Sequence, residues 1–232
     1  MLQVSGLSKQ FKMHIRDGLV IDGFNDVSFT AYKGKLLAVT GKSGIGKSTL
    51  LKCIYRTYKP TGGSVVYLSR DGKKVDLAKE EDQTIIWLRK SELGYVSQFL
   101  HVIPRVSALD ILAGRLLAGN TSPKGAREEA EYLLDRVRIS KSLWNMYPST
   151  FSGGEKQRLN ILLAIAAKPN LLLLDEPTAS LDAVSKDIII ELILDTKKKG
   201  VTLIGVFHDR DAIKALADTR YDMRKNRLVA VS

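Results

Sequence analysis

The feature that most constrains this chain is "GKSGIGKST", Gly41 to Thr49, set directly after the apolar run "KLLAVT". It satisfies G-x-x-x-x-G-K-[ST], and each fixed position has a physical task. Glycines let successive backbone N–H groups curl around phosphate oxygens. Lys47 bridges the outer phosphates, Ser48 offers a hydroxyl to Mg²⁺, and the helix that follows points its positive end at the anion. Gly41, Lys42, Ser43, Gly44, Ile45, Gly46, Lys47, Ser48 and Thr49 are therefore all candidate nucleotide contacts. Leu50, Ile54 and Tyr58 recur at helical spacing, so the spacing predicts a helix with one apolar face. A strand before the loop and a helix after it separate this run from an ordinary glycine-rich turn.

Three more apolar runs stop abruptly at a chemical residue. "LGYVS" meets Gln98, "LLLL" meets Asp175 and Glu176, and "VTLIGVF" meets His208. Short apolar runs separated by helical patterns read as buried strands of a parallel sheet. In such sheets ligands bind beyond the carboxyl ends of the strands. Asp175 is then placed to hold Mg²⁺, and Glu176 to orient or deprotonate an attacking water. Gln98 and His208 carry little signal alone. Beside a phosphate loop, Gln98 reads as a sensor of metal and water and His208 as a contact to the γ-phosphate.

A second glycine pair is harder to place. In "STFSGGEKQR", Ser152 and Glu155 have the form of a capping box opening the helix "LNILLAIAA". A cap does not need Gly153 and Gly154, each of which costs roughly 1 kcal/mol relative to alanine inside a helix. Glycine at a helix start suits close approach to the backbone, and a helix start suits an anion.

Composition bounds the class. With 232 residues, 44% hydrophobic and 26% charged, the chain can build a packed core. Its start, "MLQVSGLSKQF", lacks the apolar stretch of a signal peptide, and "ILLAIAAKPNLLLL" is broken by Lys168 and Pro169. Cys53 is the only cysteine, which excludes an internal disulfide, suggests a cytoplasmic setting, and reads as a small buried residue. The net charge of +11 comes from 36 basic and 25 acidic residues that are scattered along the chain. The tight run Lys197 to Lys199 precedes Gly200 and reads as a helix end. The charge therefore reads as solvated surface, with no direct nucleic-acid binding expected.

Taken in order, "GKSGIGKST", "VSQ", "FSGGEKQR", "LLLLDEPTASLD" and "VFHD" resemble the ATP-binding-cassette (ABC) ATPases across nearly the whole chain. The resemblance implies an α/β fold: an ABC-type P-loop NTPase with a mostly parallel core sheet, an antiparallel β flap and a helical subdomain. It implies ATP and Mg²⁺ as ligands. Residues 1–97 and 165–232 would form the nucleotide-binding core with the flap, and 98–164 the helical signature part. "SVVYLSRDGKKVDL" reads as a flap hairpin turning at Asp71 and Gly72. Ser107 and Asp110 cap "ALDILAGRLLAG"; Ser122 and Pro123 open "KGAREEAEYLLDRVRI", with Ala130, Leu133, Leu134 and Val137 as its stripe. Phe11 resembles the aromatic that stacks on adenine; its other reading is a buried strand residue.

The same resemblance answers the glycine question. In that family two subunits pair head to tail, and each signature closes on ATP held by the other's phosphate loop. Ser152, Gly153, Gly154 and Glu155 would face a second cassette, either another copy or a sister K-type subunit, and Asp182 would help couple the two sites. The chain departs from the transport ATPases at Glu155, where glutamine is usual. It also carries additional residues, "MHIRDGLVIDGF", between Phe11 and the phosphate loop.

Three assignments compete within the family: the ATPase of a membrane transporter, a soluble cassette serving an enzyme complex, and a nucleic-acid machine. The last normally carries coiled-coil or zinc-bearing insertions, and none is evident. "VSQFLHVIPRVSALDIL", "LWNMYPSTFSGGE" and "IGVFHD" are similar to the L-subunit branch of the bacterial carbon–phosphorus lyase system. That likeness implies work with core subunits that make α-D-ribose 1-phosphonate 5-triphosphate from ATP and a phosphonate, with dimer opening and closing as the role of this chain. The transporter ATPase is the alternative.

Overall fold

The computed structural model describes residues 1–13, 19–98, 100, 104–117 and 122–231. Two sheets organise them. Strands β1 (Leu2–Met13), β2 (Leu19–Ala31), β4 (Gly62–Leu68) and β5 (Lys74–Asp76) form an antiparallel sheet in the order β2-β1-β4-β5. The hairpin between β4 and β5 pairs Leu68 with Lys74 and turns through Gly72 at φ 83°, as the Asp-Gly step predicts.

The second sheet has six strands: β3 (Leu36–Thr40), β6 (Leu93–Val96), β7 (Leu171–Asp175), β8 (Thr202–Val206), β9 (Thr219–Asp222) and β10 (Arg227–Val229). Their order is β10-β9-β3-β8-β7-β6, parallel throughout except for β10 on β9. The continuous apolar runs follow from burial on both faces. Along β7, Leu172 and Leu174 enter one core and Leu171 and Leu173 the other, and Leu36 and Ala38 alternate with Leu37 and Val39 in the same way. One core lies between this sheet, the antiparallel sheet, α1 (Lys47–Ile54) and α2 (Asp82–Ser91). The other lies under α3 (Ala108–Leu117), α4 (Pro123–Arg136), α5 (Lys141–Trp144), α6 (Gly153–Ala166), α7 (Ala183–Lys198) and α8 (Arg210–Leu216). The helices drawn from 98–164 thus share one continuous core with the parallel sheet.

Local starts and stops follow the sequence closely. Asp110 N–H donates to Ser107 Oγ at the start of α3, and Gly125 N–H to Ser122 Oγ at the start of α4. After α7, Lys199 is the C-cap and Gly200 turns left-handed at φ 85°. Cys53 is fully buried, and burial pushes its thiol up to about 12, so it behaves as packing.

Two boundaries correct the sequence reading. α1 stops at Ile54, so Tyr58 is not on its face. Arg56 takes φ 67° just beyond the helix, and its guanidinium donates to the carbonyls of Leu77 (2.8 Å) and Glu80 (2.8 Å). Those tertiary bonds end the helix where spacing would have continued it. α4 ends at Arg136, which leaves Val137 as its buried C-cap and Leu133 only partly buried. Residues 118 and 119 of "ALDILAGRLLAG", and residues 14–18 of the "MHIRDGLVIDGF" stretch, lie outside the described residues.

Candidate nucleotide site and signature surface

Strands β3, β8, β7 and β6 are consecutive neighbours, so the four runs that end in chemistry deliver their last residues to one edge. The loop after β3 is shaped by contact with β2. Gly46 has φ 96°, and a Cβ there would lie 2.0 Å from the carbonyl oxygen of Gly23. Only glycine fits. α1 begins immediately after, with no side-chain cap and no acidic residue in its first turn. Its first N–H groups are left for an anion.

Lys47 is 6% exposed, and its Nζ donates to the carbonyls of Gly41 and Lys42, both at 3.0 Å. Burial lowers its pKa, while Glu176 and Asp175 pull the other way. The ammonium is held inside its own loop by weak carbonyl partners that a phosphate would outcompete.

Asp175, at the end of β7, is also buried. Ser48 Oγ donates to its Oδ1 at 2.7 Å and Tyr95 OH to its Oδ2 at 2.9 Å. Burial first, and the Asp175 charge second, drive the Tyr95 phenol far above its ordinary value, so it stays a donor. Among the described residues no group of three or more His, Cys, Asp or Glu gathers as a metal cage. One hydroxyl and one carboxylate suit Mg²⁺, which keeps phosphate and water in its shell. Ser48 and Asp175 would hold it, and the bound ion would supply neutralising charge to the triphosphate.

Glu176 lies one residue beyond, at φ 54°, a region that costs an ordinary side chain of order 1 kcal/mol or more. His208 Nε2 is 2.7 Å from its Oε1, and Gln98 Nε2 donates to its Oε2 at 3.4 Å. An ionised carboxylate in this position requires the imidazole proton on Nε2. Three strand ends thus place a carboxylate between an imidazole and an amide, facing the phosphate loop. A cavity of about 340 Å³ joins Phe11, Ile21, Gly23, Ser43, Gly44, Gly46 to Thr49, Glu176 and His208. Phe11 is partly exposed, stacked edge-on against Tyr58 at 5.3 Å, and borders this cavity.

The signature residues are elsewhere. None of 152–155 borders the phosphate-loop cavity; Gly153 faces a different opening, beside Gln98, Lys156, Gln157 and Ser180. The capping box is complete: Glu155 N–H donates to Ser152 Oγ (3.3 Å), and Ser152 N–H and Oγ both donate to Glu155 Oε2 (2.8 Å). The two glycines do different things. A Cβ on Gly154 would lie 2.6 Å from Ser185 Oγ and 3.4 Å from Asp182 Oδ2, whereas one on Gly153 would meet nothing within 4 Å. Gly154 is demanded by packing inside the chain; Gly153 presents bare backbone outward. Asp182 caps α7 by accepting from Ser185 N–H (2.9 Å) and Ser185 Oγ (2.7 Å), bonds that hold its carboxyl below the usual range.

Sequence reading missed Tyr95 and Gly23. Tyr95 sits one residue from the buried Val96 of β6, and only the pairing of β6 with β7 reveals its partner. Gly23 carries no local signal at all, because a Cβ there would lie 3.0 Å from the Lys9 carbonyl oxygen, 3.1 Å from the Phe11 ring and 3.2 Å from the Thr49 side chain, neighbours set by the pairing of β2 with β1 and by the approach of α1.

The chain is similar to known proteins over its whole length. The lipoprotein-releasing system ATP-binding protein LolD of Shewanella sp. (strain MR-4) is 34% identical over 234 residues, covering 100% of this chain and 96% of LolD. Two dimeric structures of the cassette MJ0796, one of them a post-hydrolysis state bound to ADP and Pi, superpose with a TM-score of 0.87 at 26% identity. Each covers 100% of this chain and 99% of that one. The family profile described as "ABC transporter" matches residues 24–179, and the chain belongs to that family, whose ATP-binding cassettes take ATP with Mg²⁺.

Proposed function

We propose that this chain is an ATP-hydrolysing clamp whose nucleotide is gripped by its own phosphate loop and by the signature of a second cassette, and whose opening and closing drive a larger assembly. One observation carries the reading. Two glycine-bearing helix starts, the uncapped one at Lys47 and the one at Gly153, open onto different cavities of the same chain. A head-to-tail pair brings one of each together. The dimeric state of MJ0796 supports the same arrangement.

Within the clamp, Lys47 and the loop amides bind the β- and γ-phosphates, and Phe11 stacks on the adenine. Gln98 and His208 hold Glu176 so that its carboxylate takes a proton from the attacking water as the γ-phosphoryl group leaves. Ser152 and Gly153 complete the γ-phosphate's shell from the partner. Glu176→Gln keeps the geometry but removes the base, so ATP binds without turnover and traps the pair. Light scattering with ATP and Mg²⁺ should show a stable dimer for E176Q and none after chelation. A variant that hydrolyses ATP at the parental rate would remove Glu176 from the mechanism.

The assembly it drives has two readings. The full-length similarity to LolD favours the ATPase of a membrane transporter. None of the described helices is long and apolar enough to cross a membrane. The stretches "SQFLHVIPRVSAL" and "LWNMYPSTFSGGE" favour instead a cytoplasmic carbon–phosphorus lyase assembly, with this chain acting beside its core subunits and a sister cassette. Part of that first stretch, residues 99 and 101–103, lies outside the described residues. A tagged copy recovered from phosphate-starved cells separates them: an integral-membrane permease in the complex supports the transporter, and detergent-free recovery with phosphonate enzymes supports the lyase.

A further inference from the structure

We infer that the first turn of α7 is a bracket between the two half-sites of one chain, with Ser185 and Lys186 as positioning residues. Ser185 ties it to the signature helix, and Lys186 to the loop that carries His208. The inference rests on the head-to-tail reading above.

The contacts form an unbroken path. Arg158, in the second turn of α6 and 9% exposed, donates from Nη1 to Ser185 Oγ at 2.8 Å. Ser185 is itself buried and donates to Asp182 Oδ2. Gly154 is packed so closely on Ser185 and Asp182 that even a methyl group is excluded, so the start of α6 and the start of α7 move together. One residue on, Lys186 Nζ forms an ion pair with Asp209 Oδ2. Asp209 is the N-cap of α8; its Oδ1 accepts from the N–H groups of Asp211 (2.8 Å) and Ala212 (3.4 Å). His208, adjacent in sequence, reaches Glu176. Glu176, Ser180, Leu181, Lys186, His208 and Asp209 also border one cavity of about 460 Å³.

The chemistry of the two links differs. Ser185 and Arg158 are buried, and Arg158 Nε has no hydrogen-bond partner among the described residues, so the guanidinium keeps a donor in reserve when α6 shifts. Lys186 and Asp209 are about a quarter and a third exposed, so their pairing contributes little to stability. Its consequence is geometric: it sets where the His208 loop sits relative to the turn bearing Asp182. A partner's nucleotide that engages Ser152 and Gly153 therefore displaces, through Ser185, the same turn that holds the chain's own imidazole against Glu176. That is a physical route for the occupancy of one site to be felt at the other.

The test compares the full chain with Lys186→Met, Lys186→Arg and Ser185→Ala in steady-state ATP hydrolysis, with ATP-induced dimerisation followed in the E176Q background. K186M should lower kcat about tenfold with KM for ATP within about twofold of the parent. K186R should restore most of the rate, and melting temperatures should stay close to the parent. S185A should lower the Hill coefficient for ATP from near 2 toward 1. Parental kcat and parental cooperativity in both K186M and S185A would overturn the inference. Failure of the E176Q parent itself to dimerise with ATP would instead overturn the head-to-tail reading on which it rests.

Discussion

At the residue scale, the molecule separates requirements that look identical in sequence. Gly153 and Gly154 are adjacent and both glycine, yet one faces open space and the other is pressed against Ser185. Gly154→Ala should destabilise the chain by about 1–3 kcal/mol through overpacking, read in a denaturant titration. Gly153→Ala should leave stability unchanged or raise it by up to about 1 kcal/mol, and should abolish ATP-induced dimerisation in the E176Q background. Lys47→Ala should weaken ATP binding about 30-fold or more, the worth of roughly 2 kcal/mol from charge-assisted bonds to phosphate, read by calorimetry. Full affinity in that variant would count against the phosphate-loop assignment. Glu155 adds a local constraint: its carboxylate already accepts a hydrogen bond from the Ser152 hydroxyl, so closing on a γ-phosphate requires that hydroxyl to rotate away.

At the scale of elements, helix ends are decided by partners as much as by propensity. The capping residues Ser107, Ser122 and Ser152 were readable because each bonds a backbone N–H three residues away. The end of α1 was not readable, because Arg56 acts on Leu77 and Glu80, more than 20 residues on. Arg56→Ala should therefore cost about 2–3 kcal/mol, since it strips a buried carbonyl and a partly buried one of a charged donor, and chemical denaturation would report it. A loss under 0.5 kcal/mol would show that the helix stops for another reason. The strands were legible for a different cause: burial on both faces forces every residue of β7 to be apolar until Asp175, and that uninterrupted run marks both the strand and its functional end.

At the scale of the whole molecule, nucleotide is expected to be a large part of the chain's stability. ATP with Mg²⁺ at 100 times its dissociation constant adds about 2.7 kcal/mol to the native state. For a chain of this size that corresponds to a rise in melting temperature of about 5–10 °C. The same experiment on Lys47→Ala should show almost no rise. A parental protein whose melting point ignores ATP and Mg²⁺ would contradict binding in the cavity behind Phe11.

The sequence by itself determined which strands end in chemistry, the phosphate loop, the caps and the family, because each of these is written in residues near one another along the chain. Tertiary structure alone decided that Tyr95 shares Asp175 with Ser48, that the Gly23 carbonyl leaves room only for glycine at position 46, that only one signature glycine looks outward, and that Ser185 and Lys186 join two loops. Those facts depend on which strands and helices become neighbours. That choice is made by burying two faces of one sheet at once, and no local run of residues records it.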